Sequence, residues 1–177
     1  MNTVKTQATR IAVLLALVAL VLGAVYLGLR GDNEQSIETE APATHTVAVG
    51  EQAPHFTALD SQGQPVDSDA FAGRTWLVFN ATWCASCRSE IPEIQQLAER
   101  PDVEVVAIYL KENTAQVRDF AEKLDLTYTQ VPDANGEISA AYGMNSVPAH
   151  VLIEDGEVTY LKTGALRASD ITDVLGE

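Results

Sequence analysis

Continuous apolar runs alternate with helical apolar stripes in the C-terminal two thirds of the chain. The runs at 76–79 and 103–110 show no polar alternation, which is typical of strands buried on both faces of a sheet. Each run precedes a segment with apolar residues at helical spacing, first 85–99 and then 117–124. These two strand-to-helix units predict a sheet with helices covering both sides.

The last third of the chain carries a different pattern. A short apolar stretch at 128–131 precedes a Pro-Asp-Ala-Asn-Gly segment at 132–136 that predicts a turn. The stretches 151–153 and 158–161 flank an Asp-Gly pair, which favours a tight hairpin, and a final helix is predicted over 169–175. Together the elements predict the α/β class, with a mixed parallel and antiparallel central sheet flanked by helices.

The N-terminal third begins with an uncharged apolar run at 11–29 between Arg10 and Arg30. A helix over this run would be ~29 Å long, enough to cross a bilayer. Basic residues precede the run and acidic residues follow it, so the positive-inside rule predicts a cytoplasmic N-terminus. The rest of the chain then lies on the extracytoplasmic side, periplasmic or cell-surface. A cleaved signal peptide, cut near Gly23, is the alternative.

These patterns predict four segments. Residues 1–10 form a cytoplasmic tail and 11–29 a single-pass anchor in the cell membrane. Residues 30–46 are polar, acidic and nearly free of large apolar side chains, which predicts a flexible tether. Residues 47–177 form one globular domain, since the length of 177 residues leaves little room for a second.

The charge balance narrows the choice of partners. The chain has 11 Lys and Arg against 25 Asp and Glu, a formal net charge of −14, and every acidic residue follows Gly31. Such a surface repels phosphate backbones, so nucleic acid is excluded as a partner. A habitat of high salt is one interpretation of the acidity that the charge alone does not decide.

Only two cysteines are present, Cys84 and Cys87, which excludes a scaffold of several disulfides. They follow the first buried run and open the predicted helix, where unpaired backbone N–H groups and the helix dipole favour a thiolate. A thiolate attacks disulfides, and a second thiol three residues later resolves the mixed disulfide. The spacing predicts Cys84 as nucleophile and Cys87 as resolving residue. The alternatives are two inert core cysteines or half of a metal site. The other ligands of a metal site would have to come from three histidines that lie far apart: His45, His55 and His150.

Three stretches resemble the TlpA-type thioredoxin-like thiol–disulfide oxidoreductases: NATWCASCRSEIPEIQQL, SVPAHVLIEDGEV and VGEQAPHFTALDSQGQPV. The resemblance covers 47–177. It implies a thioredoxin-like fold with an added N-terminal hairpin and a redox-active disulfide between Cys84 and Cys87, with no cofactor and no metal. It further implies a cis peptide bond between Val147 and Pro148, and substrate contacts from these two residues and Trp83.

Glu90 lies where TlpA-type proteins place an acidic residue beside the cysteine pair, which makes it a candidate proton acceptor for Cys87. Its alternative role is a general one, because acidic residues are favoured in the first turns of helices. Val78 stands where thioredoxin has a buried aspartate, which gives Glu90 more weight. His150 replaces one of the threonines that usually follow the cis proline. It is either a charge or metal contact near the sulfurs or a strand histidine with satisfied hydrogen bonds.

The resemblance and the N-terminal pattern together predict a membrane-anchored reductant of protein disulfides, as in cytochrome c maturation. Its partners would be protein thiol or disulfide substrates and a membrane thiol–disulfide electron carrier. An oxidant that uses the same pair is the alternative, and a copper-binding module of Cys84, Cys87 and His150 is a further one. A thiol peroxidase is disfavoured, because Ala81 occupies the position of the threonine that those enzymes carry.

Overall fold

The centre of the fold is a five-stranded sheet, described here from a computed structural model that covers residues 46–176. The strand order is β5-β4-β3-β6-β7, with β3, β4 and β5 parallel and with β6 and β7 antiparallel to their neighbours. A separate antiparallel hairpin, β1–β2, precedes the sheet. The strands are β1 (Thr57–Leu59), β2 (Pro65–Asp67), β3 (Arg74–Asn80), β4 (Val103–Leu110), β5 (Thr129–Asp133), β6 (Ala149–Glu154) and β7 (Glu157–Thr163).

Helices cover both faces of this sheet. One face packs against α1, α2 and α4, and the other packs against α3 and the β1–β2 hairpin. A single 3-10 turn, Ser68–Ala70, follows the hairpin. The helices are α1 (Ala85–Ala98), α2 (Thr114–Lys123), α3 (Glu137–Ala141) and α4 (Ala168–Leu175).

Strand β3 contributes to the core on both of its faces. Trp76 and Val78 point into one apolar cluster and Leu77 and Phe79 into the other, and none of the four side chains is exposed. Burying a large apolar side chain stabilises the fold by about 1.5–3 kcal/mol relative to leaving it in water. The unbroken apolar run therefore has the burial that its pattern predicts, and the predicted mixed sheet flanked by helices is confirmed.

The element boundaries agree with the sequence pattern except near β5. The turn predicted at 132–136 is wrong at its start, because Pro132 and Asp133 continue β5 and pair with Tyr109 and Leu110 of β4. Strand β5 lies at the sheet edge, where a proline does not remove a ladder hydrogen bond that a neighbour needs. The hairpin turn predicted at Asp-Gly is confirmed, and both Asp155 and Gly156 have the positive φ that a tight turn requires.

Helix α3 has no counterpart in the sequence pattern, because five residues are too few for a helical stripe. Its first turn is held instead by the side chain of Asp133, which is buried at the end of β5. Asp133 Oδ1 accepts a hydrogen bond from the N–H of Ile138 at 3.2 Å, and Oδ2 accepts one from Ser139 at 2.8 Å. A carboxylate at a helix N-terminus satisfies donors that have no partner within the helix.

The predicted tail, anchor and most of the tether, residues 1–45, lie outside the described residues. Between residues 46 and 176, no helix is long and apolar enough to cross a membrane. The elements described above all lie within 47–177, and the bounds of the four predicted segments stay a prediction.

Candidate active site

The two cysteines lie at the start of α1, directly after the loop that leaves β3. Cys84 is the N-cap residue of α1, and its Sγ accepts a hydrogen bond from the backbone N–H of Cys87 at 3.1 Å. The two residues are joined by a disulfide, with their Cα atoms 5.3 Å apart. When this bond is reduced, the same N–H group and the positive end of the helix dipole stabilise a thiolate at Cys84.

Both cysteines are buried, with Cys84 6% exposed and Cys87 2% exposed. The hydroxyl of Ser86 lies 3.3 Å from Cys84 Sγ and is a second hydrogen-bonding group for it. The indole of Trp83, beside Cys84 in the chain, is 67% exposed. A large exposed aromatic ring therefore lies next to Cys84 in the chain.

The loop before β6 packs against the cysteine pair. The Val147–Pro148 bond is cis, the geometry that the resemblance implied. Val147 packs on Ala81 and the two cysteines, and its carbonyl oxygen lies 3.9 Å from Cys84 Sγ. The structure therefore brings Trp83, Cys84, Cys87, Val147 and Pro148 together at one end of the sheet.

Glu112 is a site residue that the sequence analysis missed. It follows β4 and is 3% exposed, and its two carboxylate oxygens accept hydrogen bonds from the N–H and the hydroxyl of Thr82, at 2.8 and 2.6 Å. The Arg88 guanidinium donates to the carbonyl of the same threonine at 3.0 Å. The loop before Cys84 is thus fixed from both sides. The signal available in the sequence was an acidic residue two positions after a buried parallel strand.

Glu90 lies one helical turn beyond Cys87 on α1 and is 2% exposed. Its Oε2 accepts a hydrogen bond from the N–H of Leu166 at 3.0 Å and lies 3.4 Å from Nε2 of His150. Its Oε1 is buried without a hydrogen-bond partner in the described part of the chain. Glu90 forms no hydrogen bond with either cysteine sulfur in this oxidised form, so the structure places it beneath the pair rather than in contact with it.

His150 is fully buried on β6, directly across from Val78 of β3. The indole N–H of Trp76 donates to its Nδ1 at 3.3 Å, whereas Nε2 has no partner that meets hydrogen-bond geometry. The histidine is therefore neither a fully satisfied strand residue nor a contact of the sulfurs. Its free nitrogen faces the carboxylate of Glu90.

Tyr128 adds a buried hydroxyl near the carboxylate of Glu90. Burial raises the pKa of its phenol well above the usual value, and the charge of Glu90 adds to that rise. The hydroxyl has no hydrogen-bond partner within residues 46–176. Tyr128 stays protonated at neutral pH and lies in the same apolar cluster as Trp76 and Val78.

One group of residues in the described range has its ligand atoms close enough together to hold a metal ion: His55, Asp67 and Asp69. All three are exposed and lie beside the β1–β2 hairpin, away from the cysteines. The copper-binding alternative, which needs Cys84, Cys87 and His150 as one cluster, gains no support from this arrangement.

This arrangement suits disulfide exchange. The fold and the site together define the class of thioredoxin-like thiol–disulfide oxidoreductases. The comparisons with known proteins agree. The Redoxin family model matches residues 48–175, and the chain belongs to that family.

Several curated relatives are named thiol-disulfide oxidoreductase ResA. The ResA of Geobacillus kaustophilus is 32% identical over 167 residues, which cover 92% of this chain and 90% of that protein. The ResA of Oceanobacillus iheyensis is 32% identical over 178 residues, with 95% and 86% covered. The present protein is accordingly a thiol–disulfide oxidoreductase.

Solved structures share the fold. StoA from Bacillus subtilis has a TM-score of 0.60 and 25% identity, covering 70% of this chain and 97% of StoA. A secreted disulfide oxidoreductase of Mycobacterium tuberculosis, described as homologous to Escherichia coli DsbE, has a TM-score of 0.61 and 28% identity, covering 68% and 93%.

Replacing Glu112 with alanine removes both acceptors of Thr82 and leaves the loop before Cys84 without its anchor. We expect the free energy of unfolding, measured by urea denaturation, to fall by about 2 kcal/mol, since each hydrogen bond to a charged group contributes about 1.5–3 kcal/mol and some relaxation follows. Glu122→Ala, on the exposed side of α2, is the matched control and should change stability by less than about 0.5 kcal/mol. Equal effects of the two variants would contradict the anchoring role.

Proposed function

We propose that the protein is a membrane-anchored, extracytoplasmic reductant of protein disulfides that works through Cys84 and Cys87. The observation that carries this proposal is the position of Cys84, which caps α1 with its sulfur 3.9 Å from the Val147 carbonyl of the cis-proline loop. A nucleophilic sulfur, an exposed aromatic side chain and a loop backbone meet at one surface, which suits an extended polypeptide substrate better than a small molecule.

The reaction proceeds in two exchanges whose electrons balance. The Cys84 thiolate attacks a substrate disulfide, forms a mixed disulfide and releases the first substrate sulfur as a thiolate that takes up a proton. Cys87 then attacks Cys84 Sγ, and the second substrate sulfur leaves. The substrate gains two electrons and two protons, and the protein is left with the Cys84–Cys87 disulfide described here.

Glu90 is the group that we assign as acceptor of the Cys87 proton. The two side chains are three residues apart on α1 and both are buried, and residues at this spacing lie about 5–6 Å apart at their Cβ atoms. Val78 offers no proton acceptor on the neighbouring strand. Oε1 of Glu90 has no hydrogen-bond partner among the described residues, so it is free to accept a proton.

Trp83, Val147 and Pro148 are the residues that we assign to substrate contact. The exposed indole offers apolar surface, and an extended substrate segment would pair with the backbone at Val147. The ResA relatives carry the name thiol-disulfide oxidoreductase, which supports the reaction class but names no substrate. Cytochrome c maturation is the process that the TlpA-type resemblance implies.

The location rests on the sequence of the N-terminal third. We propose residues 1–10 as a cytoplasmic tail, 11–29 as the membrane anchor, 30–46 as the tether and 47–177 as the extracytoplasmic domain. A domain held near the membrane is well placed to receive electrons from a membrane thiol–disulfide carrier. The Mycobacterium tuberculosis protein of similar fold is described as secreted, which is consistent with work outside the cytoplasm.

Exchange through a mixed disulfide gives the two cysteines different mutant phenotypes. Cys84→Ser should abolish turnover, whereas Cys87→Ser should retain the attacking thiolate and accumulate covalent mixed disulfides with substrate proteins. Non-reducing gel electrophoresis and mass spectrometry of cells that express each variant identify the trapped partners. Full turnover of both variants would refute exchange through this pair.

The proposed orientation predicts where the thiols can be labelled. A membrane-impermeant maleimide should label the reduced protein in intact cells, and the absence of other cysteines in the chain makes the label unambiguous. The double variant Cys84→Ser, Cys87→Ser is the control and should take up no label. Labelling that appears only after lysis would place the domain in the cytoplasm.

The reduction potential decides between reductant and oxidant. We expect the full-length chain in detergent micelles, equilibrated in thiol redox buffers, to have a potential near that of thioredoxin, about −270 mV. The structural reason for this expectation is that the groups beside Cys84 Sγ in the described residues are neutral: the Ser86 hydroxyl, the Val147 carbonyl and the Cys87 N–H. A value near −120 mV would assign the protein to the oxidants that use the same cysteine pair.

A further inference from the structure

Three side chains on three elements form a continuous buried chain below the cysteine pair: Trp76 on β3, His150 on β6 and Glu90 on α1. None of them is more than 2% exposed. Contacts of 3.3 Å between Trp76 Nε1 and His150 Nδ1, and of 3.4 Å between His150 Nε2 and Glu90 Oε2, link them. The chain ends one helical turn from Cys87, which is 2% exposed.

The tryptophan fixes the state of the imidazole. An indole N–H only donates, so Nδ1 of His150 must be the unprotonated, accepting nitrogen. The proton of the neutral ring then lies on Nε2, the nitrogen that faces Glu90 Oε2. A doubly protonated ring would set its Nδ1–H against the indole N–H at 3.3 Å. The tautomer set by Trp76 therefore directs the Nε2–H of His150 toward the carboxylate, 3.4 Å from Oε2.

The carboxylate is held asymmetrically. Oε2 accepts the N–H of Leu166 at 3.0 Å and faces Nε2 of His150, while Oε1 is buried without a partner among the described residues. Burying a charged or polar atom without a hydrogen bond is costly, so a new proton is best accommodated on Oε1. Because Leu166 and His150 lie at Oε2, Oε1 is the oxygen of Glu90 that is left to bind a proton.

We propose that His150 is a positioning residue for the resolving step: it holds Oε2 of Glu90 so that Oε1 is the oxygen that receives the Cys87 proton. This proposal rests on the proposed function, in which Glu90 accepts that proton. The proton moves from the Cys87 thiol to Glu90 Oε1, and the resulting Cys87 thiolate attacks Cys84 Sγ and releases the substrate thiolate. His150 gives up no proton in this step, and its Nε2 remains directed at Oε2, 3.4 Å away in the oxidised form.

Titratable groups near this buried chain set the pH range of a test, and Tyr128 and Tyr160 are the two with an interaction to it: Tyr128 with Glu90 and Tyr160 with Trp76. The raised pKa values of Tyr128 and Tyr160 keep both phenols protonated below about pH 10, burial being the main cause for each. Lys162 lies opposite His150 on β7 and is exposed. Further titratable residues on the same and neighbouring elements are Cys87 and Glu93 on α1, Lys162 on β7, and Arg167 with Asp170 at α4.

The test separates the two exchanges with 5,5′-dithiobis(2-nitrobenzoate), using the reduced full-length chain in detergent micelles. Attack by Cys84 releases one coloured thiolate, and resolution by Cys87 releases a second, so stopped-flow absorbance shows two phases. We expect His150→Leu to slow the second phase about tenfold at pH 7 and to change its profile between pH 5.5 and 8.5, with the first phase unchanged. Glu90→Gln should act in the same way, and the double variant should be no slower than Glu90→Gln alone.

Two variants separate positioning from packing. His150→Gln keeps an N–H donor near the place of Nε2 and should restore the second phase to within about threefold of the wild type. Trp76→Phe keeps an aromatic ring but frees Nδ1, and it should slow the second phase even if His150→Leu does not fold. His55→Leu, an exposed histidine on the segment before β1, is the matched control and should leave both phases unchanged.

The results distinguish this proposal from the proposed function. A second phase that stays within twofold of wild type in folded His150→Leu, or in Trp76→Phe, overturns the role of His150 while exchange through the cysteines stands. Equal slowing of both phases also overturns it, since that indicates general damage to the site. Failure of the wild type to release the second thiolate, or release of the first by Cys84→Ser, refutes the proposed function itself.

Discussion

The central position of β3 is the constraint on which the rest of the structure depends. All seven of its residues pair with β4 on one side, and residues 74–79 pair with β6 on the other. From Thr75 to Asn80 the strand is also buried on both faces. A strand that is paired along both edges and packed on both faces has a fixed carboxyl end. The loop that starts at Ala81 and the N-terminus of α1 follow this end, so their positions are fixed by it. The place of Cys84 follows from the burial of a strand that contains neither cysteine.

Buried polar groups position the active-site residues within the frame that the apolar core sets. The carboxylate of Glu112 has partners for both oxygens and fixes the loop before Cys84, so it works as structure. Glu90 and His150 are different, because each keeps one polar atom without a hydrogen bond in the described residues. Incomplete pairing of a buried carboxylate costs stability, and a protein retains such a cost where function needs it. Glu112 and Glu90 are similarly buried, but Glu112 fixes a loop whereas Glu90 is the proposed proton acceptor.

Local sequence patterns predict much of the fold, and they fail at the end of β5 and at α3. Strand β4 begins and ends where its apolar run does, because a run buried on both faces carries its own signal. The end of β5 was predicted as a turn from Pro132 and Asp133, and it is a strand because edge pairing to β4 tolerates the proline. Helix α3 was not predicted, since its stability comes from the Asp133 side chain rather than from its own periodicity.

The sequence by itself determined the α/β class, the cysteine pair at a helix start and, through its resemblance to a known family, the cis bond before Pro148. These depend on neighbouring residues, whose spacing the chain displays directly. Only the tertiary structure decided that Glu112 fixes the loop before Cys84, and that Trp76, His150 and Glu90 form one buried chain. Those contacts join residues that are 30 to 74 positions apart, and their distances are set by sheet register and helix packing, which no local pattern records.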